Sequence, residues 1–307
     1  MSRRTIDRSH AEWPSSLRDF TTEEPILRLF VEGMPLPPGA RSVAVVGSRR
    51  PTSAGVEAAA TITRGLVEAG FSIVSGLAVG IDAVAHKTAL DHRGHTTAVL
   101  GCGHDAAYPR FNAGLRKRID RCGTVVSEYD LGVPPHKSNF PARNRIIAGI
   151  SAAVVFVEGG LRSGGLITAR HAFDGGRDVF AVPGSFRNPM AAGPNELIRT
   201  NQAKLVTDVT HILQDLAPGL VWGEGDADAP PAGDPAVNEG EGRVLLYLDE
   251  LPTPPDRLCM DLELPWGRAA LALAALEARG YVQKKPGGYA VTTAGARIRS
   301  RLPVGDE

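Results

Sequence analysis

A short β-branched apolar run, a turn, then a helix-like segment: this pattern returns along much of the chain and limits the folds open to it. "SVAVVGSRRPTSAG" leads into "VEAAATITRGLVEAG", and "FSIVSGLAVGID" leads into "AVAHKTALDHRG". "TTAVLGCG" precedes another helix-like segment after "YPRFN", and "GTVVSEY", "AAVVFVEGG" and "DVFAVPG" follow. Strands that are apolar throughout and alternate with helices belong to a parallel sheet covered on both faces. An α/β, Rossmann-like, doubly wound and mostly parallel sheet is therefore expected over residues 41–216.

With 307 residues, 43% of them hydrophobic, the chain is long enough for two domains. The formal net charge is zero, but the acids are unevenly placed. Glu224, Asp226, Asp228, Asp234, Glu239 and Glu241 fall in a stretch without Lys or Arg and rich in Pro, Gly and Ala. Such a stretch buries too little apolar surface to offset its ordering entropy, so 217–240 reads as an acidic, flexible linker and the remainder is correspondingly basic. No run approaches the roughly 18 apolar residues of a membrane span, and "MSRRTIDRSHAEWPSS" has no secretory apolar stretch. A soluble, cytoplasmic protein without membrane insertion is expected. Cys102, Cys122 and Cys259 are odd in number and far apart, which builds neither a disulfide framework nor a metal site.

Ligands of doubly wound sheets bind at the carboxyl ends of the strands, where turns meet helix N-termini whose free N–H groups and dipole favour anions. Three turns qualify: Gly47 to Arg50, Ser75 to Gly80 with Gly76 between, and Gly159 to Thr168, which contains Ser163 and Gly164. A cluster of cations joins them, because "HKSNFPARNRIIAGI" sets Lys137, Arg143 and Arg145 around Phe140 with no acid among them, and Arg49 adds a further charge. A phosphate-bearing ligand is the expectation. Neither GxGxxG in the first turn nor GxxxxGK[ST] anywhere is present, and no GxSxG or HExxH occurs. No cofactor, no metal and no catalytic residue are expected.

"GSR", "SGLAVGIDAVAH", "SEYDLGVPPHKSNFPARNRIIAGIS", "VVFVEGGLRSGGLITARHA", "GGRDVFAVPG" and "GPNELI" follow in the order and spacing of the DprA (Smf) DNA-processing family, which the chain resembles over about Ser42 to Leu213. The resemblance implies a single-stranded DNA binder that dimerises through the Rossmann-like domain and delivers incoming DNA to the RecA recombinase in natural transformation. Carried over by position, it places the DNA pocket at Ser48, Arg49, Lys137, Phe140, Arg143, Asn144 and Arg145. Cations follow a phosphate backbone and an aromatic ring stacks on any base. A second reading stays open for each: Arg143 or Arg145 pairs with a buried acid, and Phe140 belongs to the core. Asp82 and Glu158, at strand ends, read as helix-capping or scaffold acids.

The chain departs from the family pattern in three places. "SGGLIT" stands where "SGSLIT" is usual, removing a hydroxyl at Gly165; Asn201-Gln202 replaces a glycine-containing turn; and residues 1–40, with Trp13 in place of a common Tyr, read as a short remnant of a pre-Rossmann region lacking a helical domain. Past the linker, "EGRVLLYLDEL", "PPDRLCMDLEL" and "PWGRAALALAALEARG" read as three helices and "YVQKKPGGYAV" as a hairpin turned at Pro286-Gly287-Gly288. These define a winged-helix domain over 241–302 whose third helix, in the reading position, offers base edges little beyond Arg268. Two other functions fit parts of the pattern: a phosphoribohydrolase of the LOG (lysine-decarboxylase-like) group, although Thr168 stands where its carboxylate belongs, and a ligand-sensing transcription regulator.

Overall fold

The computed structural model describes residues 3–22, 24–217 and 237–299. The chain divides into two compact units, the division falling between the second and third of these ranges. Most of the expected linker, and the last residues of the expected winged-helix domain, lie outside the described residues.

The first unit contains strands β1 (Arg4–Asp7), β2 (Arg28–Gly33), β3 (Ser42–Val46), β4 (Ser72–Ser75), β5 (Thr96–Leu100), β6 (Thr124–Ser127), β7 (Ala153–Phe156), β8 (Asp178–Ala181) and β9 (Lys204–Leu205). Its helices are α1 (Ser53–Glu68), α2 (Ile81–Asp91), α3 (Ala113–Cys122), α4 (Asn139–Gly149), α5 (Gly164–Asp174), α6 (Ala192–Arg199) and α7 (Val209–Leu216). The strands form one sheet in the order β1-β2-β6-β5-β4-β3-β7-β8-β9. From β6 to β9 every neighbouring pair is parallel, while β1 and β2 add an antiparallel edge. The six apolar runs of the sequence are β3 to β8. Alternate residues of β3 show why they are apolar throughout: Ala44 and Val46 enter a core with Ile146, Ile147 and Leu166, whereas Val43 and Val45 enter another with Ile62, Leu66 and Ala85. Helices thus cover both faces.

The described residues before β3 pack into this sheet. β2 pairs with β6 from Phe30↔Ser127 to Gly33↔Thr124, and Ile6, Trp13, Leu17 and Leu29 are buried in the same core as Ile146 and Phe156. These strands escape a reading by pattern because each is a single short run without the strand, turn and helix sequence around it.

Chain order sets the position of the site. From β3 the chain steps outward through β4, β5 and β6, then returns through α4 to lay β7 on the other side of β3. The order reverses between β3 and β7, and the loops leaving those two strands diverge there, opening a crevice at their carboxyl ends.

The second unit contains α8 (Glu239–Tyr247), α9 (Pro255–Asp261), α10 (Trp266–Ala278), β10 (Val282–Lys285), β11 (Gly288–Val291) and α11 (Thr293–Arg299). Asn238 caps α8 in a reciprocal box with Glu241. Val244, Leu248, Leu258, Leu273, Leu276 and Val291 meet in its core. Lys285 pairs with Gly288, so the hairpin turns on Pro286-Gly287 and Gly288 already belongs to the ladder. Thr253 bridges to Tyr289, completing the wing of a winged helix with a short third strand.

Candidate nucleic-acid interface

A cleft of about 670 Å³ opens at the switch point. Gly47, Ser48 and Arg49 leave the end of β3, Gly160, Arg162, Ser163, Gly164 and Thr168 come from the connection after β7 and the first turns of α5, and α4 forms the wall between them. Phe140, Arg143, Asn144 and Ile147 all line the cleft; spaced i, i+3, i+4 and i+7, they share one face of α4. Lys137 reaches the rim from just before the helix.

Helices α1, α2, α4 and α5 begin at or beside this crevice, and the protein's own carboxylates hold the turns leading into α1 and α2. At α1, the Thr52 N–H and hydroxyl donate to Glu158 at 2.9 and 2.6 Å, and Asn188 Nδ2 donates to the same side chain at 3.4 Å. At α2, the Asp82 carboxylate accepts the N–H groups of Gly76 and Ala78 at 3.1 and 3.3 Å. Burial pushes Asp82 up, opposed by the nearby charge of Arg143. Both acids therefore satisfy turn and helix-end donors, the scaffold role expected of them.

α5 opens onto the cleft without an acid in its first turn. Its cap, the Ser163 hydroxyl, accepts the Leu166 N–H at 3.3 Å, and a Cβ at Gly164 would have nothing nearer than Asn144 Nδ2 at 4.0 Å. The first N–H groups of an α-helix have no partner within it, so this turn presents free donors and the positive end of a dipole to the cleft. Arg49, Lys137 and Arg162 are exposed around it. Asp82 is the one acid in the lining.

The residues expected at the site divide by role. Ser48 is buried; its hydroxyl accepts the Arg50 N–H at 3.0 Å and lies 3.5 Å from Met190 Sδ, so it shapes the β3 turn. Arg143 is buried beneath the cleft, where Nη1 donates to the Gly76 carbonyl at 2.9 Å and to the Val99 carbonyl. Burial lowers its pKa from the ordinary arginine value, against the pull of Asp82. Asn144 accepts from Arg143 Nε at 3.3 Å and donates to the Gly164 carbonyl at 3.1 Å, locking α4 to the open turn. Thr168 donates its hydroxyl to that same carbonyl at 3.2 Å. Phe140 is half-buried, its ring 5.1 Å from that of Tyr108 and 5.7 Å from the Arg49 guanidinium carbon. It is therefore neither a sealed core residue nor a free ring.

Three of the expected residues stand elsewhere. Arg145 turns away from the cleft and grips Glu128, with Nη2 to Oε1 at 2.8 Å, while Nε donates to the Glu24 carbonyl at 3.1 Å. The pairing with an acid, held open from the sequence, is the arrangement observed. Gly76 and Gly80 form a turn whose ligand place is taken: a Cβ at Gly76 would meet Arg143 Nη2 at 2.5 Å, and one at Gly80, where φ is +87°, would meet the Ser48 carbonyl at 2.2 Å. Arg162, by contrast, lies in the cleft although the sequence reading passed over it; its position inside "GGLRSGGLIT" was the available signal.

Exposed cations and an open helix N-terminus lie together at the switch point of a doubly wound sheet, in a chain that also carries a winged helix. Residues 4–217 match the DNA recombination-mediator protein A family and residues 227–288 the DprA winged helix domain. The chain belongs to this DprA (Smf) family of DNA-processing proteins. It is 41% identical to Protein Smf of Escherichia coli over 266 residues, covering 85% of this chain and 70% of that one. To the DNA processing protein DprA of Streptococcus pneumoniae it is 46% identical over 173 residues, 56% of this chain and 61% of that one. The X-ray structure of S. pneumoniae DprA superposes with a TM-score of 0.64 at 38% identity, covering 70% of this chain and 75% of the other. A structure of DNA processing protein A from Helicobacter pylori, described for its single-stranded DNA binding mode, gives 0.63 at 28% identity, covering 70% and 96%.

Proposed function

We propose that this protein binds single-stranded DNA of any sequence in the cleft between α4 and α5, and acts by holding the strand rather than by chemical turnover. The observation that carries the reading is the α5 N-terminus, which opens onto the cleft with no acid in its first turn and is ringed by Arg49, Lys137 and Arg162. One backbone phosphate sits on those donors, the three cations meet its neighbours, and the free part of the Phe140 ring takes a base. The groups assigned to the strand, three cations, backbone donors and one ring, meet any phosphate and any base, which supports sequence-neutral binding.

Family membership extends the proposal to the protein's setting. It protects incoming single strands, assists loading of the RecA recombinase in natural transformation, and works as a homodimer through the Rossmann-like unit in the cytoplasm. Among the described residues, no helix is long and apolar enough to cross a membrane. The phosphoribohydrolase alternative gains no support from the site: Thr168 occupies the place of the needed carboxylate with its hydroxyl on a helix carbonyl, and Glu158 is held at the start of α1.

Fluorescence anisotropy with a labelled oligo(dT), a matched duplex and AMP as competitor tests the reading. Tight single-strand binding, weaker duplex binding and no competition by AMP are expected. Preference for one duplex sequence, or release of adenine from AMP that disappears in Glu158→Ala, overturns it.

A further inference from the structure

Beside the cleft lies a second one, of about 340 Å³, that the proposed phosphate site does not use. Ala106, Tyr108, Arg110, Val133, Pro134 and Pro135 line it. The two are neighbours through a shared wall: Tyr108 lines the second, Phe140 lines the first, and their rings lie 5.1 Å apart at 34°. The chain links them as well, since Pro135 in the second is followed two residues later by Lys137 in the first.

Its lining is chemically one-sided. The aromatic ring and two proline rings offer flat apolar faces. Arg116 fixes one wall, its guanidinium donating to the Ala106 and Tyr108 carbonyls at 3.2 and 3.3 Å. Asp105, the acid of the lining, accepts the Gly132 N–H through both oxygens at 3.0 and 2.9 Å and so closes the loop opposite. Arg110 is exposed at the mouth, and Phe111 beside it is 94% exposed. The segment that carries them is held in place: Asn112 Nδ2 donates to the Leu77 carbonyl at 2.9 Å.

We propose that this second cleft takes the base of an adjoining nucleotide of the same single strand. The strand crosses the Tyr108–Phe140 partition, Arg110 meets the phosphate on the far side, and Phe111 continues the stacking surface. Flat hydrophobic walls with a cation at the mouth suit any nucleobase attached to a phosphate, because every base has a π-face. Asp105 and Arg116 are committed to the protein's own backbone and Arg110 is assigned to the phosphate, which leaves the flat apolar faces to meet the base. Binding there is sequence-neutral.

The inference rests on the single-strand reading of the first cleft, and one experiment separates the two. Binding of a 20-residue oligo(dT) to the full-length protein is compared with Arg110→Ala, Phe111→Ala, their combination and Arg49→Ala, each checked for an unchanged melting temperature. Both outer side chains are exposed, so these variants fold. The combined variant is expected to lose about 5- to 50-fold in affinity, within the range for one stacked base, and Arg110→Ala to flatten the salt slope by about 0.7, the share of one single-strand phosphate contact. If the outer variants bind like the parent while Arg49→Ala binds weakly, the second cleft is not on the strand's path and the first reading stands. If the parent protein does not bind oligo(dT), both fall. Photo-crosslinks from 5-bromouracil in the parent complex are expected on Tyr108, and their confinement to Phe140 overturns the crossing.

Discussion

Arg145 holds both carboxylate oxygens of Glu128, Nη1 to Oε2 at 2.9 Å and Nη2 to Oε1 at 2.8 Å, on the side of α4 away from the cleft. Its side chain is 7% exposed and that of Glu128 23%. The pair joins α4 to the end of β6 and, through the Glu24 carbonyl, to the chain before β2. Arg145→Ala leaves a partly buried carboxylate unpaired, a change that costs about 3 kcal/mol when the pair is well shielded. A lowered melting temperature is expected, with DNA affinity per folded molecule and its salt slope unchanged. A flattened slope would return Arg145 to the phosphate path.

The salt slope itself follows from which cations face the cleft. Arg49, Lys137 and Arg162 are exposed there, while Arg143 spends its donors on the Gly76 and Val99 carbonyls. Three contacts at about 0.7 each give a slope of about −2 in log K against log salt, or a loss of roughly 20-fold between 50 and 200 mM. Lys137→Ala and Arg162→Ala are each expected to flatten it by about 0.7 without affecting stability. Titrations at four salt concentrations check this.

The contrast between Arg143 and Arg145 shows how far the site was legible in sequence. "FPARNRIIAG" displayed a cluster of cations about an aromatic, and the cluster was read as one surface. On a helix, residues two apart point about 200° from each other, so both arginines never faced one cleft. Phe140, Arg143, Asn144 and Ile147 did, and their i, i+3, i+4, i+7 spacing was in plain view. Strands β3 to β8 were legible because burial on both faces leaves an unbroken apolar run. β1 ("RTID") and β9 ("KL") were not: β1 buries only Ile6, and both residues of β9 are exposed. Which helix end was open to a ligand was legible only in part, since the acids that hold the turns before α1 and α2, Glu158 and Asp82, are fixed by tertiary hydrogen bonds.

Phe140 has one side against Tyr108 and belongs half to the protein and half to the cleft. Phe140→Ala is expected to weaken single-strand binding by about 1–3 kcal/mol, roughly 5- to 150-fold, with the slope nearly unchanged because stacking releases few counterions. A modest fall in melting temperature accompanies it. Normal binding by the folded fraction would place the ring wholly in the scaffold.

Acid is expected to weaken the fold through two histidines. Burial holds His86 down at about 3 and His95 down at about 4, from ordinary values near 6.5. Between pH 6.5 and 4 the unfolded chain binds protons at both positions and the native protein does not, so stability is present above the unfolded value and falls as pH drops. Each histidine contributes at most about 1.4 kcal/mol per pH unit in that window. His95 also shares hydrogen bonds with Ser72 Oγ, 2.7 Å from Nδ1, and with Thr124 Oγ1, 2.9 Å from Nε2, the neutral ring accepting one and donating the other. His95→Gln keeps polar atoms for those hydroxyls and is expected to make the pH dependence of denaturant midpoints shallower. An identical dependence would take His95 out of the account.

Gly165, where the family pattern carries serine, is fixed by what lies behind it. A Cβ there would stand 2.7 Å from Phe156 Cε2, 3.0 Å from Phe156 Cδ2 and 3.0 Å from the Gly47 Cα. Phe156 is fully buried at the end of β7, and Gly47 is the turn of β3, so neither the ring nor the backbone gives way freely. Gly165→Ser is therefore expected to cost about 1–3 kcal/mol by overpacking, a fall of roughly 2–12 °C in melting temperature for a unit of this size. If the ring is what excludes the hydroxyl, Phe156→Leu removes the obstruction and the serine costs less in that background, a coupling of about 0.5–3 kcal/mol between neighbours. Denaturant melts of the parent, the two single variants and the double variant measure it. An equal cost of Gly165→Ser in both backgrounds would shift the cause to the Gly47 backbone, and single-strand affinity restored or raised in the double variant would show that the open turn of α5 tolerates a hydroxyl once the ring behind it has gone.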